Sequence, residues 1–61
     1  MKTLSDLQHD ITNKQHQINL AGQELRYATT SEDKTRLGTR LSILRYELQI
    51  LEIRKKIIQL G

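Results

Sequence analysis

The chain has 61 residues, a formal net charge of +3 at pH 7, and no Cys, Pro, Trp or Phe. A chain this short buries only about 60% of the surface it exposes when unfolded, and small scaffolds need a staple: disulfides, a metal or oligomerisation. Without Cys there is neither a disulfide nor a thiolate zinc site, which leaves partner helices as the expected source of stability and fits a reducing compartment.

Leu, Ile, Gln, Lys, Arg and Glu dominate, which is the composition of long helices rather than of strands. The segment Met1 to Asp10 has no signal-like apolar core, and no apolar run approaches the roughly 20 residues a spanning helix needs. The expectation is a cytoplasmic protein with no membrane segment. Met1 and a capped first helix point to an intact small protein rather than an oligomerisation tag cut from a longer chain.

In the first half, apolar residues recur at heptad spacing. Leu4, Ile11, Ile18 and Leu25 form one set, and Leu7, Ala21 and Ala28 form the other, with Lys14 as the one polar intruder. A seven-residue repeat keeps a single stripe facing a partner helix. Thr3 followed by Asp6 resembles a capping box, with the acid at the positive end of the helix dipole. The first helix is expected over about 4–28, with Gly22 inside it.

Residues Thr29 to Lys34 contain no apolar side chain. Thr29 with Glu32, and Thr30 with Asp33, each read as a cap followed three residues later by an acid. A turn over about 29–33 and a second helix over about 34–60 follow from this.

The second helix carries two stripes. One is Leu37, Leu41, Leu44, Leu48, Leu51 and Ile58, broken by Lys55. The other is Ile43, Tyr46, Ile50, Ile53, Ile57 and Leu60. At about 100° per residue the two lie on nearly opposite faces. If the chain folds back near Ser31, residues whose numbers sum to 62 lie opposite one another. Leu4 then meets Ile58, Ile11 meets Leu51, Ile18 meets Leu44, and Leu25 meets Leu37. Lys14 falls near Glu47 and Lys55 near Asp6, each with its stem along the seam and its ammonium at the edge.

The expected fold is therefore all-α: one domain over residues 1–61, an antiparallel two-helix coiled-coil hairpin. It leaves the Ile43-to-Leu60 stripe uncovered. That stripe is expected to drive self-association into a homodimer, as a four-helix bundle, or a higher oligomer. Leu20 and Tyr27 lie off the main seam and are candidate contacts with a second protomer. The competing architecture is one continuous helix with a stutter in its repeat, against which the polar caps argue.

Candidate chemistry is sparse. His9 and His16 share an outward face at a spacing unlike that of helical metal pairs. No nucleophile–base arrangement, Gly-rich phosphate loop or close carboxylate pair is present, so no enzyme activity and no cofactor or metal is expected. Residues 31–61 carry seven positive and four negative side chains. Arg36, Arg40, Arg45, Arg54 and Lys56 are accordingly the candidate nucleic-acid contacts. Interleaved Glu47 and Glu52 favour an ordinary charged flank, and Tyr46 reads as a packing residue rather than a base-stacking one.

In its two helices of similar length, short polar turn and heptads on both arms, the chain resembles the Rop family of plasmid RNA-binding hairpin dimers. It is also similar, in size, Lys/Gln/Ile-rich composition and hairpin plan, to the small helical accessory proteins of lambda-like temperate phages. The second resemblance implies a regulatory protein that acts by contact with another protein. The first implies RNA or DNA binding through the basic half.

Overall fold

A computed structural model describes residues 3–61. It is a two-helix hairpin, α1 over Leu4–Tyr27 and α2 over Ser31–Leu60, with extents of 47 × 15 × 14 Å. The 30 residues of α2 span about 45 Å at a 1.5 Å rise, so the length of the molecule is the length of its second helix.

The start of α1 is fixed by a complete capping box. Thr3 Oγ1 accepts from the Asp6 N–H at 3.2 Å, and the Asp6 carboxylate accepts from the Thr3 N–H at 3.2 Å. Two amides that have no partner within the helix are thereby satisfied. The helix ends at Tyr27, and Ala28 adopts extended backbone with its N–H on the Leu25 carbonyl.

The connection is shorter than expected. Of the two overlapping cap signals, only the second is used: Thr30 Oγ1 accepts from the Asp33 N–H at 3.1 Å. Helix α2 therefore begins at Ser31 instead of near residue 34, and α1 stops one residue before the expected 28. Once Thr30 is the cap, Glu32 and Asp33 occupy the first turn of α2, where carboxylates suit the positive dipole end. Among the described residues no backbone φ is positive, so the reversal is made by extended Ala28 and Thr30 without a glycine.

Burial follows the heptads. Leu7, Ile11, Ala21, Leu37, Leu41 and Leu44 are buried, and Ala21, Leu41 and Leu44 form a cluster against which Ile18 and Leu25 pack. Lys14, Leu48, Leu51 and Lys55 continue the seam as half-buried residues. At the open end Leu4 and Ile58 remain 40% and 42% exposed.

The two seam lysines behave differently. Lys14 reaches Glu47 with Nζ 3.4 Å from Oε2, as the pairing register requires. Lys55 instead donates to Gln8 Oε1 at 2.6 Å, not to Asp6. Heptad geometry puts Gln8 and Asp6 on opposite sides of the seam.

Candidate functional site

The hairpin has two long sides, set by which heptad positions flank the seam. On one side run Asn13, Leu20 and Tyr27 of α1, seven apart, with Ile43, Ile50 and Ile57 of α2. Asn13 and Ile50 line one groove there, and Leu20, Tyr27 and Arg36 line the next. The other side carries Thr12, Asn19 and Arg26 with Ser42, Gln49 and Lys56, and it is polar along its whole length. Tyr46, Ile53 and Leu60 sit on the back of α2, between the two sides.

Taken together, Ile43, Tyr46, Ile50, Ile53, Ile57 and Leu60 form one continuous strip, each between 51% and 89% exposed. All of the six expected interface residues therefore lie on the surface and share one face of α2. Leu20 and Tyr27, exposed on α1, line a groove with Arg36 on the same long side of the hairpin. Among the described residues ten large apolar side chains are exposed and six hydrophobic residues are buried. Six of the ten form the strip, and a contiguous apolar patch, unlike scattered exposed residues, is a feature of interaction surfaces.

The basic candidates are not gathered in the same way. Arg36, Arg40 and Arg54 flank the apolar side, whereas Arg45 faces the polar side beside Gly22 and Arg26. Lys56 lies with it on that side. Arg36 is also paired with Asp33 at 3.2 Å. His9 and His16 are both exposed on the outer face of α1. Among the described residues no cluster of three His, Cys, Asp or Glu side chains is placed to hold a metal ion, and no helix is long and apolar enough to cross a membrane.

The grooves along the seam are open and shallow, formed where two cylinders meet. The best-defined one is lined by Asp10, Lys14, Glu47 and Arg54 with Ile50 at its edge. It is a charged trough beside the strip, not an enclosed pocket. Sequence reasoning identified the strip itself but not this bordering trough, whose only trace in the sequence is the recurrence of charged residues on either side of the seam. No family profile matches the chain, and comparison with curated proteins and with solved structures finds no match.

Proposed function

We propose that this is a small, non-enzymatic regulatory protein that self-associates through α2 and acts by binding another protein. The observation that carries this reading is the strip from Ile43 to Leu60, at least half exposed at every position. Burying a large aliphatic or aromatic side chain is favourable by about 1.5–3 kcal/mol, and here roughly half of that remains to be gained at each residue. Two strips brought together would contribute on the order of 10 kcal/mol. Association costs about 4–15 kcal/mol, so the assembly is expected to depend on concentration.

The resemblance to phage accessory hairpins supports a role exercised through protein contact, in a bacterial or phage setting. Tyr27 is 83% exposed and lies beside the turn, beyond the span of the strip.

Absolute mass by sedimentation equilibrium, over about a hundredfold range of concentration, tests the proposal. The wild-type chain should form a dimer or larger species, and the Ile50→Asp/Ile53→Asp variant should be monomeric. A monomeric wild type overturns the reading. So does a variant that still assembles and stays fully helical.

A further inference from the structure

The strip is symmetric about a point between Leu51 and Glu52. Positions whose numbers sum to 103 pair apolar with apolar: Ile43 with Leu60, Tyr46 with Ile57, and Ile50 with Ile53. An antiparallel copy placed in this register covers every strip residue with another one. Leu20, level with Ser42 along the hairpin, widens the platform that receives the partner's Leu60.

The flanking charges choose the same register. In an antiparallel pair of helices, like flanking positions of the two chains face each other. Glu47 then lies beside the partner's Arg54, and by two-fold symmetry Arg54 lies beside the partner's Glu47. On the other flank Gln49 lies beside the partner's Lys56. A slide of one heptad in one direction places Glu47 beside the partner's Glu47 and Arg40 beside the partner's Arg54. A slide in the other direction places Arg54 beside the partner's Arg54 and Lys56 beside the partner's Lys56. Both slides also strip partners from two of the six apolar residues. A parallel dimer brings Glu47 to the partner's Ser42 and Arg54 to the partner's Gln49, with no ion pair. Within its own chain Glu47 is held at the edge of the strip by Lys14 through Oε2, with its side chain 48% exposed. Arg54 lines the same trough.

Resting on the self-association reading above, we infer that the occupant of the strip is a second copy of this chain, antiparallel, in the single register set by Glu47 and Arg54. The dimer is staggered, with the two turns pointing outward. Each turn lies about 32 Å from the two-fold axis at a 1.5 Å rise per residue.

Two measurements test it. Glu47→Arg and Arg54→Glu are made as separate chains. In each homodimer both flanking pairs become like-charged, and two such exposed pairs should weaken the dimer about tenfold. Mixed together, the chains form a heterodimer in which both pairs are again opposite, and wild-type affinity should return. Disturbance of the Lys14 contact within a chain is not repaired by mixing, so recovery reports the contact between chains. The second measurement keeps the native charges. The chain lacks Cys, so Thr35→Cys accepts a single spin label on an exposed site of the polar side. The label-to-label distance should be about 50 Å in the proposed register, about 40 or 60 Å in the slid registers, and about 10–20 Å in a parallel dimer. A wild type that is monomeric at every concentration removes the self-association reading and this inference with it. A dimer whose labels lie at another distance, or whose charge variants show no recovery on mixing, overturns the register alone.

Discussion

Replacing Gly22 and Gly38 by Ala should stabilise the hairpin, and by an amount that can be worked out. Both glycines lie inside helices, Gly22 in α1 and Gly38 in α2. Neither has a positive φ, so neither needs glycine's conformational freedom. A Cβ built on either one meets no atom within 4 Å. The substitution therefore costs nothing in packing and recovers the backbone entropy that glycine loses in a helix, about 1 kcal/mol per site. Summed as independent sites the two gains come to about 2 kcal/mol, and the single variants measure any coupling between positions that face each other across the seam. In a domain of this size about 1 kcal/mol moves the midpoint by 4–8 °C, so the double variant should melt about 8–16 °C higher. The assay is thermal unfolding by circular dichroism at matched protein concentration, because the midpoint of an oligomer depends on concentration. A lowered midpoint would refute the reasoning in an informative way. Both glycines flank the seam on the polar side, and a penalty there would mean that another chain packs against that side rather than against the strip.

Two further expectations follow from local geometry and from charge placement. Thr30→Ala removes the hydroxyl that accepts from the Asp33 N–H, so stability should fall by about 1 kcal/mol, read as a lower denaturant midpoint with an unchanged slope. The basic side chains are divided between the two sides, at most three of Arg36, Arg40, Arg45, Arg54 and Lys56 to a side. Binding to duplex or hairpin RNA through these five side chains should therefore vary with salt with a log–log slope no steeper than about −3. A markedly steeper slope in a filter-binding or gel-retardation titration would point to a basic surface built by assembly.

The hairpin and its seam were legible in the sequence because both rest on periodicity. Leu7, Ile11, Ala21, Leu41 and Leu44 repeat at a spacing that only one face of a helix can satisfy. The polar segment after Ala28 is the one place where that face can reverse. Lys14 against Glu47 was readable for the same reason, since the register places them level. The strip from Ile43 to Leu60 was equally plain, because it is a property of one helix and needs no knowledge of the other.

What remained hidden depends on competition between close alternatives in space. Thr29 and Thr30 carry the same cap signal, and only the path of the chain between two packed helices selects Thr30. Lys55 had Asp6 and Gln8 within reach along the sequence. Asp6 and Gln8 lie on opposite sides of the seam, and Lys55 reaches Gln8. The division of the surface into an apolar side and a polar side belongs to neither helix alone. It arises from the antiparallel sense of the pair, which sets Leu20 and Tyr27 on the side of Ile43 and Ile50. Periodicity determines which face of a helix is apolar, a local matter of 100° per residue. Which faces of two helices lie together is decided only when they pack.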